Sequence, residues 1–134
     1  MPHERLEDGL RALLRDAPPE VLSAWLFGSE ARGEAGEHSD VDVAVLYATP
    51  PASRLAAGPL DLEGALERAL GRPVQLTVLN RAPADLVHRV LRDGRLLLDR
   101  DRAARIRFEV ERRNEYFDLA PLRARYRAGG RRAS

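Results

Sequence analysis

The run Val41-Asp42-Val43-Ala44-Val45-Leu46-Tyr47 constrains the fold more than any other stretch of the chain. Val41, Val43 and Val45 recur at the two-residue period of a strand, so one of its faces must be buried. Asp40, just ahead of the run, shares a face with Asp42 because side chains alternate along a strand. A strand that is apolar along its length and acidic at its start belongs in a sheet, with its first residues at a rim. Two carboxylates about 7 Å apart repel by roughly 2 kcal/mol at an effective dielectric near 20. Water at a solvated strand end screens that repulsion, and a divalent cation offsets it; the pair by itself leaves both open.

Two further runs have strand character, "VLSAWLFG" before the acidic strand and "PVQLTVLN" after it. In the second, Val74, Leu76 and Val78 alternate with Gln75, Thr77 and Leu79. "RLLLD" adds a short edge strand. Leu6, Leu10, Leu13 and Leu14 mark a first amphipathic helix that Pro18-Pro19 stops. "SEARG" is expected to begin a short helix. A helix from Pro59 has Asp61 in its first turn and Leu62, Leu66 and Leu70 on one stripe, with Gly71 and Pro73 as terminators. Between these, "ATPPASRLAAGP" is expected to be a disordered loop. A third helix opens at Pro83, buries Leu86, Val87, Val90 and Leu91, and ends at Gly94. From about Asp101 a long helix carries Ala103, Ile106, Val110 and Phe117 on one stripe, breaks near Pro121, and continues through Leu122 and Tyr126. The order predicts an α/β (α+β) fold around a small sheet. It forms one domain over residues 1–134, with C-terminal helices from about residue 101.

Composition narrows the function classes. With 44% hydrophobic and 32% charged residues among 134, the chain is expected to form one soluble domain with a modest core. No apolar run approaches the roughly 20 residues of a membrane span, and "MPHERLEDGL" lacks a secretion signal. Cysteine is absent, which excludes disulfides and thiolate metal sites and suits a cytoplasmic protein. All 22 basic residues are arginine, so no lysine-dependent mechanism, a P-loop included, is available. Residues 1–99 hold 16 acids against 11 arginines, a balance of −5; residues 100–134 hold 5 against 11, a balance of +6. The basic end is either a solvated arginine-rich helix or a face for an acidic partner or nucleotide phosphates. His3, His38 and His88 lack metal-ligand spacing, Trp25 is expected in the core, and no sequence-specific nucleic-acid motif is present.

Upstream of the acidic pair, the first strand ends in Gly28-Ser29. A strand turning into a helix at a glycine exposes backbone N–H groups that can cradle a phosphate, and the Ser29 hydroxyl can add a hydrogen bond. Arg32, one turn on, can reach a phosphate oxygen. An ordinary turn with an N-cap is the other reading of Gly-Ser alone. Together with Asp40 and Asp42, these residues predict a site for a nucleoside triphosphate.

The stretch "LFGSEARGEAGEHSDVDVAVL" resembles the signature of minimal nucleotidyltransferases, small relatives of the DNA polymerase beta superfamily. Gly28-Ser29 is followed by ten residues and then by Asp40-Val41-Asp42, and Ala31-Arg32-Gly33 and Ser39 match the common wording. The resemblance extends more weakly through "NRAP", "RVLRDG" and "FEVERRNEYFD". It implies the nucleotidyltransferase fold, a small mixed β-sheet flanked by helices. It further implies Mg²⁺ as cofactor, ATP as substrate, catalytic and metal-holding roles for Asp40 and Asp42, and nucleotide contacts from Gly28, Ser29, Arg32 and Ser39. The chain length fits the antitoxins that pair with an all-helical HEPN-domain ribonuclease toxin and transfer AMP to one of its tyrosines, in a homo- or hetero-oligomer whose stoichiometry is left open. The sequence departs from the family at one position. In register with the strand that bears a third carboxylate stands Gln75, which is neutral and cannot accept a proton. The alternative is therefore a degenerate antitoxin that acts by binding nucleotide and partner only. A small-molecule nucleotidyltransferase ranks last, because so short a chain leaves little room for a substrate domain.

Overall fold

In the computed structural model, residues 2–33, 40–52 and 57–118 are described. They form α1 (Pro2–Arg15), β1 (Val21–Phe27), β2 (Val41–Tyr47), α2 (Ala57–Leu70), β3 (Val74–Val78), α3 (Ala84–Asp93), β4 (Arg95–Asp99) and α4 (Arg102–Asp118). The four strands make one mixed sheet in the order β3-β2-β1-β4. β1 is antiparallel to β2 and to β4, whereas β2 and β3 run parallel and need the crossover that α2 provides. "RLLLD" is an edge strand, as its length and flanks predict.

Side-chain alternation divides the core between the two faces of the sheet. Val41, Val43 and Val45 of β2 pack with Leu6, Leu10 and Leu14 of α1 and with Leu62 and Leu66 of α2. Ala44 and Leu46 face the other way, into a cluster with Trp25, Val87 and Val90 of α3, and Phe108 of α4. β1 serves both layers through an irregularity in its pairing between Val21 and Ser23. This lets Val21 join Ala24 and Leu26 in the first layer although the intervening spacing is odd. Arg100 ties the C-terminal end of α1 to the sheet, donating to the carbonyl oxygens of Arg15 at 2.8 Å, Ala17 at 2.9 Å and Pro18 at 2.7 Å. An arginine there satisfies carbonyls that have no partner inside the helix.

Three expectations are corrected. α2 begins at Ala57, inside the segment expected to be a loop, so Asp61 lies in its second turn. Residues 53–56 of that segment are outside the described residues. On α4 the expected stripe does not face the core: Ile106, Val110 and Phe117 are 40%, 44% and 58% exposed, and Phe108 is the buried residue. The inward face is the row at Ala104, Phe108, Arg112 and Tyr116, spaced by four. It is held by the Arg112 guanidinium over the Phe108 ring at 5.1 Å, by Tyr116 stacked on His88 at 3.9 Å, and by Arg112 donating to the carbonyl of Asn80 at 2.6 Å. Aromatic and cationic groups made that contact, so the apolar periodicity pointed to the other face. Pro121, Leu122 and Tyr126 are outside the described residues.

Candidate functional site

The last ladder pairs of the antiparallel β1 and β2 are Leu26 with Val43 and Phe27 with Asp42. The chain that leaves β1 therefore emerges beside the first residues of β2. Gly28 takes a φ of +74°, a region that favours glycine, and a Cβ built there would collide with Asp42 Oδ2. Only glycine allows the backbone to lie against that carboxylate. The following residues form one turn, closed by the Arg32 N–H donating to the Gly28 carbonyl at 3.3 Å and the Gly33 N–H to the Glu30 carbonyl at 3.2 Å. The helix expected from "SEARG" is thus a single turn within residues 28–33. The N–H groups of Ser29 to Ala31 precede these closing bonds, the place where the leading N–H groups of a helical turn need partners from outside it.

Asp42 is half-buried, while Asp40 and Arg32 are exposed. Burial pushes the Asp42 carboxyl above its ordinary range, the nearby Asp40 charge pushes it further, and Arg32 pulls it back down. Those three charges therefore act on one another across the mouth of the turn. A purely oxygen donor set suits a hard divalent cation, and a cation there would offset both effects that oppose ionisation of Asp42. Among the described residues no group of three or more His, Cys, Asp and Glu side chains gathers to hold a metal ion, so the acids contribute as a pair.

The parallel register of β2 and β3 sets Asp42 opposite Gln75. Gln75 is exposed and stands on the strand next to the acids. It lines two clefts. One of about 470 Å³ is shared with Asp40, Glu63 and Glu67, and one of about 370 Å³ is shared with Thr77, Asn80, Arg81 and Leu86. The outer edge of β3 is closed by α2: Glu67 accepts from the Val74 N–H at 3.0 Å and Glu63 from the Leu76 N–H at 2.8 Å. Carboxylates on these edge amides protect the strand from further pairing.

Gly28, Ser29, Arg32, Asp40, Asp42 and Gln75 are thus brought to one rim of the sheet, with Ser29 half-buried next to Gly28. Ser39 and His38 are outside the described residues. Sequence reasoning missed Glu30, which is 7% exposed and ion-paired with Arg72. It also missed Asp93 at the end of α3, whose carboxyl is lowered chiefly by the hydrogen bond from Arg92 and further by Arg32 and His88. Glu63 and Glu67 resemble ordinary helix-surface residues; their spacing of four was the available signal, since it sets both on one helical face.

A family model described as polymerase beta, nucleotidyltransferase matches residues 10–103. One chain of a toxin–antitoxin crystal structure with AMP-PNP is 28% identical, with a TM-score of 0.77 over 92% of this chain and 96% of its own. A chain of the tri-AMPylated HEPN toxin of Shewanella oneidensis in complex with an MNT antitoxin is 26% identical, with a TM-score of 0.73 over 95% and 97%. A chain of an MntA–HepT toxin–antitoxin structure is likewise 26% identical, with a TM-score of 0.71 over 94% and 97%. Among curated proteins, GTP cyclohydrolase FolE2 2 of Burkholderia orbicola (strain MC0-3) is 35% identical over 96 residues, 72% of this chain. The chain spans only 29% of that relative's length.

Proposed function

The chain belongs to the polymerase beta nucleotidyltransferase family, and from that premise we propose that it is a minimal nucleotidyltransferase antitoxin transferring AMP from ATP to a HEPN-domain toxin. The observation that carries this reading is the Asp42 carboxylate packed against Gly28, which joins an anion-binding turn to a cation-binding pair at one rim. In this reading the N–H groups and hydroxyl of Gly28-Ser29, with Ser39, hold the triphosphate and Arg32 adds a cationic contact. Asp40 and Asp42 hold Mg²⁺, which when bound supplies positive charge against the phosphates. The toxin's tyrosine oxygen forms a bond to the α-phosphorus as the bond to pyrophosphate breaks, and the phenolic proton leaves to solvent. Gln75 stands beside Asp42 and cannot take that proton. A carboxylate in this place would contribute a factor of about 10²–10⁴.

The test is to incubate chain, cognate toxin and Mg²⁺ with ATP labelled at the α-phosphate. Label is expected on a toxin tyrosine, and none is expected with Asp42→Ala; an unlabelled toxin after long incubation rejects transfer.

A second reading, neutralisation by docking alone, is favoured by two observations. Gln75 removes the acid, and α4 leaves Ile106, Val110 and Phe117 exposed beside the exposed Arg102, Arg107 and Arg113. Such an apolar and basic face is what a protein partner covers. It calls for a stable complex and an inhibited ribonuclease without any nucleotide. Val110→Glu or Phe117→Glu should break that complex, on a sizing column, without lowering the unfolding temperature. If the two proteins do not co-elute, this reading falls.

A further inference from the structure

Three segments build the rim: the turn 28–33, the start of β2, and the connector 71–75 that delivers Gln75. Two of the joins are made by backbone. The β1–β2 ladder runs up to Phe27 and Asp42, and the Val41 N–H donates to the Pro73 carbonyl at 2.9 Å. The third join, between the turn and the connector, is made by side chains. Glu30 Oε1 accepts from Arg72 Nη2, with the Glu30 side chain 7% exposed and that of Arg72 21%.

A buried carboxylate is a costly choice at this place. It sits next to Ser29 in a turn that offers its N–H groups to an anion, and its charge opposes a phosphate there. The Arg72 guanidinium pairs with it and offsets that charge. Buried ion pairs contribute little net stability beyond what neutral side chains of the same size supply. Stability is therefore a weak reason for two charges at this spot, and geometry is a stronger one.

We propose that Glu30 and Arg72 are positioning residues that lock the phosphate turn to the strand bearing Gln75, so that Gly28 and Ser29 face Asp42 before any nucleotide arrives. The assignment rests on the nucleotide reading above. The lock spans 42 residues of sequence and joins the turn to the connector that pairs with the start of β2. Binding groups held in place in advance lose less freedom when a ligand binds, and a displacement of about 1 Å at a reacting centre can cost roughly a hundredfold in rate.

The informative variant is Glu30→Gln with Arg72→Gln, which removes both charges and keeps the bulk. Arg72→Gln alone strands a buried carboxylate and is expected to lower the unfolding temperature; the double variant should recover it. Two measurements then separate positioning from mere structure. Amide hydrogen exchange at residues 29–32 should quicken about tenfold or more in the double variant, with α1 and β1 unchanged. Calorimetric titration with AMP-PNP and Mg²⁺ should weaken about tenfold or more in the same variant, and Arg72→Lys should keep most of the affinity. A stable double variant with unchanged exchange, or with faster exchange and an unchanged Kd, overturns the assignment. Wild-type chain that takes up no AMP-PNP overturns the proposed function, and this assignment with it; that result is read before any variant is made.

Discussion

The two faces of the sheet are covered differently, and the difference locates the site. On one face, α1 and α2 lay leucines across Val41, Val43 and Val45, and the cover reaches the end of β2. On the other, Val87 and Val90 of α3 and Phe108 of α4 join Trp25 of β1 around Ala44 and Leu46, and Asp42 at the rim stays half-buried. The first face is packed along the whole of β2. The second stops one alternation short of the strand's start, and there Asp42 and Gln75 stand side by side with Asp40 at the margin. Incomplete cover on a sheet is what a candidate site needs: strands fix the acids, and the missing apolar neighbour leaves them half-buried or exposed.

The contrast can be broken most severely from the packed face. Leu10 is fully buried, so Leu10→Ala should lower stability by about 2–5 kcal/mol, measured by urea unfolding. The nucleotide affinity of the protein that remains folded should be unchanged. An affinity that falls in parallel would mean that the faces are not independent. On the open face, Gln75→Asp restores a proton acceptor beside Asp42 and should speed labelling of the toxin about a hundredfold, equivalent to about 2.7 kcal/mol of barrier. An unchanged rate would show that the base stands elsewhere.

Arg100 offers a smaller lever. It bonds several carbonyls at the end of α1, and Arg100→Ala should cost about 1–2 kcal/mol. The loss should appear as faster hydrogen exchange in α1, with that of α3 unaltered. The smallest effect comes from the Asp42 charge. Its folded pKa is raised above the ordinary 3.8, chiefly by burial and then by Asp40, so between those two values the folded chain holds more protons than the unfolded one. Stability therefore falls as pH rises through that window, and at pH 7 the charged group opposes folding. Asp42→Asn in magnesium-free buffer should raise the unfolding temperature slightly at pH 7, with the gain narrowing toward pH 4. A lower unfolding temperature at pH 7 would contradict this.

Most of the core was legible from the sequence because its signals are apolar and periodic. Leu6, Leu10, Leu62, Leu66, Val87 and Val90 are all buried as their spacing predicts. The acidic pair and the glycine turn were legible as residue types at a spacing, although their chemical roles remain part of the proposal. α4 was misread, since its inward row is built from Phe108, Arg112 and Tyr116, and no hydrophobicity pattern scores an arginine over a ring as a contact. Glu30 was passed over for a related reason. A lone glutamate in a turn looks solvated until its partner, 42 residues away, is brought beside it.

The sequence alone determined that Val41–Tyr47 is a strand starting with two acids on one face, and where α1, α2 and α3 stop. Those are local facts, set by side-chain alternation, by proline and glycine, and by the need to bury valine and leucine. Only the tertiary structure decided that Gly28 meets Asp42, that Gln75 stands next to it, and which face of α4 is left uncovered. Those depend on strand order, register and competition between faces for the same neighbours, and such long-range terms are not written in any single stretch of chain.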